Sequence, residues 1–156
     1  MIIFTKTKKK KKKLENNSIP ARVVAKMMEL DHYSRWLGIT VKSLTAGACS
    51  LEMTIRKEML NGFGIAHGGI AFSVADSALA FASNSRNRKS LVINTSVSFT
   101  GAVKEGDVLL AVAEETNLTN RLGIYQVTVS RHDGTTVLVF TGTVFRKDDL
   151  WFPGEE

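Results

Sequence analysis

Residues 61–84 begin Asn61-Gly-Phe-Gly-Ile-Ala-His-Gly-Gly69 and continue Ile70-Ala-Phe-Ser-Val-Ala-Asp-Ser-Ala-Leu-Ala-Phe-Ala-Ser-Asn84, and they predict the central element of the fold. The first part of this segment contains four glycines, which is typical of a loop. Its second part is rich in alanine and has neither proline nor glycine, which predicts a helix over residues 70–84. Small side chains let a curved sheet approach a helix closely, so we expect the rest of the chain to fold around this one.

The segments on either side predict one further helix and six strands. On the N-terminal side, Ser18-Ile-Pro20 is a typical helix start, and the helical spacing of apolar residues after it ends at Gly38. Residues 39–56 then predict a hairpin around Ala46-Gly47. On the C-terminal side, a polar turn is expected over residues 86–90. Four strands are expected after it, at Leu91–Phe99, Val108–Glu115, Leu122–His132 and Thr135–Arg146.

This order of elements favours an α+β fold in which an antiparallel sheet wraps around one long central helix. The later strands are apolar on both faces, as the run Val108–Val112 shows. One face of the sheet can pack on the central helix. The other apolar face must be shielded from water by another chain, which indicates oligomerisation. A chain of 156 residues suits a single domain, which we place at residues 18–152, with a short C-terminal tail over residues 153–156.

The net charge of +6 belongs to the N-terminal tail. Lys6 and Lys8–Lys13 supply seven positive charges, and without them 14 basic residues face 15 acidic ones, a net of −1 (14 − 15). A lysine run can bind nucleic acid or an anionic membrane. A block of like charge is more typical of a solvated, disordered extension, which is our prediction for residues 1–17. We therefore expect neither a nucleic-acid nor a membrane partner.

The chain also lacks the sequence signals of export. The apolar residues that precede the lysines are too few for a signal peptide. The single cysteine, Cys49, cannot form an internal disulfide, which fits a reducing compartment, and the cytoplasm is the expected location.

Asp76 is the unusual residue of the central helix, because an unpaired carboxylate is costly among apolar neighbours. Ser73, Asp76, Ser77 and Ala80 also fall on one helical stripe, so an ordinary polar groove is the structural alternative. Gly68 and Gly69 lie at the start of the helix, where backbone N–H groups lack intrahelical partners and the dipole is positive. Such an end suits the stabilisation of an oxyanion.

Taken together, these residues carry a specific resemblance. The pattern Asn61-Gly62-x4-His67-Gly68-Gly69-x6-Asp76 resembles the motif of the phenylacetate-pathway type of hotdog-fold thioesterase. Further matches are Asp31-x4-Trp36-Leu-Gly-Ile39, Gly106-Asp107 and Gly142-Thr143, so that the similarity extends from about Pro20 to Arg146. The resemblance implies a hotdog fold and hydrolysis of a small aromatic or medium-chain acyl-coenzyme A. It implies no cofactor other than the coenzyme A of the substrate.

The resemblance also implies roles for individual residues. Asn61 would orient the thioester or the attacking water, the amide of Gly68 would bind the oxyanion, and Asp76 would act as general base or nucleophile. His67, Gly69 and Ser77 are candidates for supporting roles. A histidine beside a helix start can be a base or can fix the loop, and in the resembled family it is mostly structural.

Helix geometry indicates that this site needs two chains. Gly68 and Asp76 are eight residues apart, about 12 Å along a helix, so both cannot contact one carbonyl within a single subunit. If two central helices lie antiparallel across a twofold axis, Asp76 of one chain can approach Gly68 of the other. We therefore expect an obligate homodimer with shared sites. The strands that are apolar on both faces further favour a dimer of dimers.

Coenzyme A carries phosphates, so basic side chains are expected at the mouth of its pocket. The candidates are Arg86, Arg88, Lys89 and Arg121. The alternative is that these are ordinary solvent-exposed charges of a loop. No spacing of histidine, cysteine and carboxylate residues predicts a metal site. Two other functions stay open: a hotdog hydratase or dehydratase with His67 and Asp76 as acid and base, and a non-catalytic acyl-coenzyme A-binding protein.

Overall fold

The computed structural model describes residues 17–155, and the tail predicted for residues 1–17 lies outside them except for Asn17. The helices are α1 (Ile19–Met28), α2 (His32–Leu37) and α3 (Gly68–Asn84), with a 3-10 turn at Lys57–Met59. The strands are β1 (Thr40–Thr45), β2 (Ala48–Thr54), β3 (Arg88–Phe99), β4 (Val108–Leu118), β5 (Leu122–Arg131) and β6 (Thr136–Leu150). Within residues 17–155, no helix has the length and apolar character needed to cross a bilayer.

The six strands form one antiparallel sheet in the order β1-β2-β4-β5-β6-β3, and α3 packs on one face of it. Ala75, Ala78 and Ala82 of α3 are fully buried. The small side chains thus bring the helix close to the sheet, and the predicted architecture of a sheet wrapped around one central helix is confirmed.

The closest approach is at Gly142 of β6. A Cβ atom there would lie 2.4 Å from Cδ2 of Leu79 and 3.0 Å from Cε1 of Phe140. Leu79 and Phe140 are both fully buried, so either side chain would have to shift within the packed core to make room. Gly142 is therefore required by packing between strand and helix.

The N-terminal prediction of one helix ending at Gly38 was wrong, since the chain forms two helices. Helix α1 ends at Met28, and Asp31 starts α2 by accepting the N–H of Ser34 on Oδ1 at 2.8 Å. An aspartate that caps a new helix competes with continuation of the old one. Gly38, with a φ of 76°, then ends α2 as expected.

The turn predicted over residues 86–90 was too long, because β3 already begins at Arg88. Asn87 makes the turn with a φ of 65°, and it binds the end of the chain. Its carbonyl accepts the N–H of Trp151 at 2.9 Å, and its Oδ1 accepts the N–H of Phe152 at 2.9 Å. Glu155 reaches Arg22 of α1 at 2.5 Å, so the last described residues are fastened to the N-terminal helix.

The later strands carry apolar side chains on both faces, as the sequence predicts. In β4, Leu109, Ala111 and Ala113 are fully buried against α3, and the alternating residues Val108 and Leu110 are half-buried on the outer face. The outer face continues onto β5 and β6 with exposed Leu122, Ile124 and Phe145. Residues 17–155 by themselves therefore leave a partly apolar outer surface.

Candidate active site

The glycine-rich segment ahead of α3 is a closed loop that carries Asn61 and His67 on its two arms. A bridge between Leu60 and Ala66 closes the loop. Asn61 Oδ1 accepts the N–H of Phe63 at 2.9 Å, which holds the turn. Within residues 17–155 the Nδ2 group of Asn61 donates no hydrogen bond, so it is available to a ligand.

The start of α3 presents one unused backbone donor. His67 caps the helix, and its Nδ1 accepts the N–H of Gly69 at 3.1 Å. The N–H of Gly68 has no acceptor in the described part of the chain. It lies at the positive end of a helix of 17 residues, which is where an oxyanion is stabilised.

Gly68 is also close to an aromatic ring. A Cβ atom at this position would lie 3.2 Å from Cε1 of Phe99, at the end of β3. A larger residue would therefore displace the ring as well as shield the amide. The ring of Phe99 is 55% exposed, so it offers an apolar surface beside the helix start.

The cap formed by His67 limits its chemistry. Because Nδ1 accepts the N–H of Gly69, the proton of the neutral ring is on Nε2. The ring then has no lone pair free to accept a proton from a substrate. The geometry supports a loop-fixing role, and Gly69, whose N–H is used by this cap, supports the site in the same indirect way.

Asp76 lies in the middle of α3 and is half-buried. Its carboxylate makes no hydrogen bond or ion pair with any residue between 17 and 155. Burial raises the pKa of Asp76 above its ordinary value, since removal from water disfavours the charged form. Desolvated and unpaired carboxylates of this kind are typical of catalytic acids and bases.

The serines on the same stripe of α3 bind α2. Ser77 Oγ is 3.1 Å from Ser34 Oγ, which donates to Asp31 Oδ2 at 2.6 Å. Ser73 Oγ donates to Gly69 O at 2.6 Å and lies 2.9 Å from the hydroxyl of Tyr33. Ser77 thus helps to hold α2 against α3. The polar stripe predicted along α3 contacts α2 on either side of Asp76.

Tyr33 was missed by the sequence reasoning. Its ring stacks on that of Trp36, with centroids 5.9 Å apart, and the two rings are 53% and 47% exposed. Aromatic residues three positions apart on a helix are a signal that sequence offers. Only the fold shows that Tyr33 contacts α3 one turn before Asp76.

The candidate coenzyme-binding residues lie at the opposite end of α3 from Gly68. Arg86 donates to Glu115 at 2.8 and 2.9 Å, and Lys89 Nζ lies 5.6 Å from the centre of the Trp151 ring. Arg88 and Arg121 both contact Asp148, at 2.9 and 2.8 Å. Each of these cations therefore already has a contact within the chain.

Neither cysteine nor metal chemistry finds support in the described residues. Burial raises the pKa of Cys49 to about 12, so its thiol is not ionised at neutral pH and is not a nucleophile. Among residues 17–155, no group of three histidine, cysteine or carboxylate side chains is placed to hold a metal ion.

Strand β3 is the exposed edge of the sheet beside this site. It pairs only with β6, and its other backbone edge is unpaired among the described strands. The register of β3 shifts between Val92 and Asn94, and two apolar side chains beside this irregularity are exposed: Leu91 is 62% exposed and Ile93 58%. A long apolar edge strand of this kind is a surface for pairing with another chain.

Comparison with known proteins gives a consistent family. Residues 63–138 match the thioesterase superfamily, a range that includes Gly68 and Asp76. A putative esterase of Archaeoglobus fulgidus is 34% identical over 96% of this chain and 94% of its own length. An acyl-coenzyme A thioesterase, PaaI, of Escherichia coli is 32% identical over 77% of this chain and 86% of its own length.

A solved structure agrees with these relatives. The E. coli PaaI protein from the phenylacetic acid degradation operon superposes with a TM-score of 0.83 at 30% identity, covering 85% of this chain and 96% of that one. The hotdog fold expected from the sequence is thereby confirmed.

Proposed function

The chain belongs to the thioesterase superfamily, and we propose that it hydrolyses an acyl-coenzyme A thioester to a carboxylic acid and free coenzyme A. Two groups carry this proposal: the half-buried carboxylate of Asp76 and the amide of Gly68, neither of which has a hydrogen-bond partner among residues 17–155. One group can activate or supply a nucleophile, and the other can stabilise the oxyanion that results.

The proposed reaction begins with the thioester carbonyl on the helix end. The Gly68 N–H donates to the carbonyl oxygen, and the Nδ2 group of Asn61 holds the thioester or the attacking water. The ionised Asp76 then takes a proton from that water or attacks the carbonyl itself, giving an anhydride that water hydrolyses. Both routes break the C–S bond, release the coenzyme thiolate and use only groups of the protein, the substrate and water.

Two chains are proposed to build each site. Since eight residues separate Gly68 from Asp76, about 12 Å of helix lies between them. The unpaired edge of β3 supports pairing with a second copy, which would hide Leu91 and Ile93 and place two α3 helices side by side. Asp76 of one chain would then serve Gly68 of its partner. The half-buried outer face of β4 supports a further pairing of two such dimers.

The surroundings of the site support an apolar acyl group. Phe99 lies against Gly68, and the rings of Tyr33 and Trp36 lie on the helix that covers the Asp76 stripe. Small aromatic and medium-chain acyl groups fit such walls. A free, buried Cys49 fits a reducing compartment, and we place the enzyme in the cytoplasm.

The rival functions differ in what they ask of particular residues. A hydratase would need His67 as a proton acceptor. The Nδ1 atom of His67 already accepts the N–H of Gly69, which argues against that role. A non-catalytic protein would bind the acyl-coenzyme A without hydrolysing it. Such a function does not explain why Asp76 has no partner among residues 17–155.

Thiol release from a panel of acyl-coenzyme A compounds tests the proposal. The parent should release thiol from at least one aromatic or medium-chain compound, and Asp76→Asn should lose the activity. Asp133→Asn is the matched control, since Asp133 is an exposed carboxylate in the β5–β6 turn, and it should retain full activity. Tight binding of the panel without thiol release would overturn the enzyme proposal in favour of a binding protein.

A further inference from the structure

Helix α2 brings an aromatic ring to α3 next to Asp76. The hydroxyl of Tyr33 lies 2.9 Å from Oγ of Ser73. Ser73 precedes Asp76 by three residues, so the two side chains are neighbours on the surface of α3. The Tyr33 ring therefore contacts the central helix beside the proposed catalytic carboxylate.

The hydroxyl of Tyr33 has a fixed direction. Ser73 donates its hydroxyl proton to the carbonyl of Gly69 at 2.6 Å. A serine hydroxyl has one proton and two lone pairs, so Tyr33 is the donor and Ser73 the acceptor in the contact between them. Through Ser73 the ring is tied to the first turn of α3, where Gly68 presents its amide.

Trp36 holds the Tyr33 ring from its other side. The two rings stack with centroids 5.9 Å apart and planes 17° apart. Trp36 is in turn fixed by Arg56, whose guanidinium lies 5.3 Å from the centre of the Trp36 ring and whose Nη2 donates to the carbonyl of Trp36 at 2.7 Å. Tyr33 nonetheless remains 53% exposed. A ring that is already ordered offers apolar surface at little further cost in entropy, and exposed apolar patches mark binding sites.

A second ring lies on the other side of Asp76. Phe72 precedes Asp76 by four residues, is partly buried and packs edge-on against Phe140 of β6, with ring centroids 5.4 Å apart. The side chains of Phe72 and Ser73 leave the helix about 100° apart, and that of Asp76 leaves one turn later between them. An acyl group beside the carboxylate therefore has apolar surface on two sides, from Phe72 and from Tyr33.

We propose, on the basis of the proposed function, that Tyr33 is a specificity-determining residue whose ring forms the end wall of the acyl site. The coenzyme part of the substrate is polar and extends into water, so the acyl part takes the apolar side of the reaction centre. An acyl chain that runs between Phe72 and α2 meets the Tyr33 ring, which Ser73 and Trp36 hold against displacement. The ring thereby sets the longest acyl group that the site accepts.

A series of straight-chain acyl-coenzyme A compounds of increasing length tests this wall. In the parent, kcat/KM should rise with chain length up to a limit and then fall. In Tyr33→Ala the limit should move to longer chains, and each methylene beyond the parental limit should add about fourfold to kcat/KM, the effect of one buried CH₂ group. A Tyr33→Ala profile that keeps the parental limit would overturn the proposal.

Two further variants distinguish a wall from a structural contact. Tyr33→Phe keeps the ring and loses only the hydrogen bond to Ser73, so it should retain the parental limit. Tyr33→Trp enlarges the ring and should move the limit to shorter chains, which a mere loosening of α2 would not do. Leu30→Ala is the matched control, since Leu30 is an apolar residue three positions before Tyr33 whose side chain is 81% exposed, and it should keep the parental profile. An equal loss of kcat/KM at every chain length in all three Tyr33 variants would show a structural role and overturn the proposal.

Binding measurements separate this proposal from the proposed function. If the parent releases no thiol, calorimetry with the same compounds gives the chain length that binds most tightly. A shift of that length in Tyr33→Ala would then mean that the proposed reaction fails and the assignment of Tyr33 stands. If the parent hydrolyses the series and the limit stays unchanged in both Tyr33→Ala and Tyr33→Trp, the proposed reaction stands and the assignment of Tyr33 fails.

Discussion

Asp76 illustrates at the scale of one residue how a reactive group opposes stability. Burial raises its pKa in the folded chain, and in the unfolded chain the pKa returns to about 3.9. The folded state therefore binds more protons between the two pKa values, and stability falls as pH rises through that window. Above the folded-state pKa of Asp76 the whole penalty is present.

Replacing Asp76 by asparagine should raise the melting temperature at pH 7, because it keeps the shape of the side chain and removes the desolvated charge. The gain should shrink as pH falls and disappear below about pH 3.9. Thermal unfolding followed by circular dichroism at several pH values measures both effects. A lower melting temperature at pH 7 would mean that the carboxylate makes stabilising contacts in the assembled protein.

The same raised pKa predicts the pH dependence of the reaction. The base or nucleophile must be ionised, so kcat/KM should fall as pH decreases through the pKa of Asp76, and the midpoint of this limb should lie above the ordinary value of 3.8. In Asp76→Asn, kcat should drop by about 10²- to 10⁴-fold. A pH–rate profile of the parent checks the first expectation, and a midpoint at or below 3.8 would contradict it.

Gly142 allows a matched prediction on packing. Gly142→Ala would place a methyl group 2.4 Å from Cδ2 of the fully buried Leu79, and should destabilise the fold by about 1–3 kcal/mol. Gly62→Ala is the control, since nothing lies within 4 Å of a Cβ atom there and its φ is not positive. Denaturant unfolding of both variants measures the difference, and equal stabilities would contradict the packing argument.

At the scale of elements, α2 depends on its contacts more than on its own length. A helix of six residues is not stable alone. It is held by the Asp31 cap and by the contacts of Ser34 and Tyr33 with α3. Asp31→Ala should therefore cost about 1 kcal/mol and speed amide exchange within α2 more than within α1.

Asp31→Asn keeps an oxygen that can accept the N–H of Ser34 and should lose much less stability. Hydrogen exchange with mass spectrometry resolves the two helices. Uniform loss of protection in both would show that α1 and α2 open as one unit, which the contacts of Ser34 and Tyr33 with α3 argue against.

These elements also show what sequence can and cannot predict. Helix α3 and the strand periods were predictable because alanine content and alternation are local signals. The break at Asp31 was not, because the helical spacing of apolar residues continues across it and only a side-chain hydrogen bond decides where the new helix starts. The contact of Phe99 with Gly68 depends on the pairing of β3 with β6, which joins residues far apart in the sequence. The role of Asn61 came from the resemblance alone, whereas Gly68 and Asp76 were also indicated by the helix end and by an isolated carboxylate among apolar residues. All three roles stay predictions until variants are measured.

At the scale of the whole molecule, the exposed features of the chain point to assembly. The edge of β3 has no partner among the described strands and carries the exposed side chains of Leu91 and Ile93. It lies beside a helix whose two reactive groups are too far apart to act together. A dimer through this edge would resolve both features. Sedimentation of the parent should therefore show no stable monomer at micromolar concentration, and full activity of a dilute monomer would contradict the shared site.

Mixing two inactive variants tests the shared site directly. Asp76→Asn lacks the carboxylate, and Asn61→Ala lacks the group that holds the reactants. In a heterodimer of the two, one site combines an intact Asn61 and Gly68 from the first chain with an intact Asp76 from the second, and the other site carries both defects. With random pairing, half of the dimers are mixed and half of their sites are intact, so co-expression should restore about a quarter of parental activity. If each chain held a complete site, every site in the mixture would carry one defect, and activity would stay at the level of the single variants. Unmixed variants at the same total concentration provide the baseline, and differently tagged chains confirm that heterodimers formed.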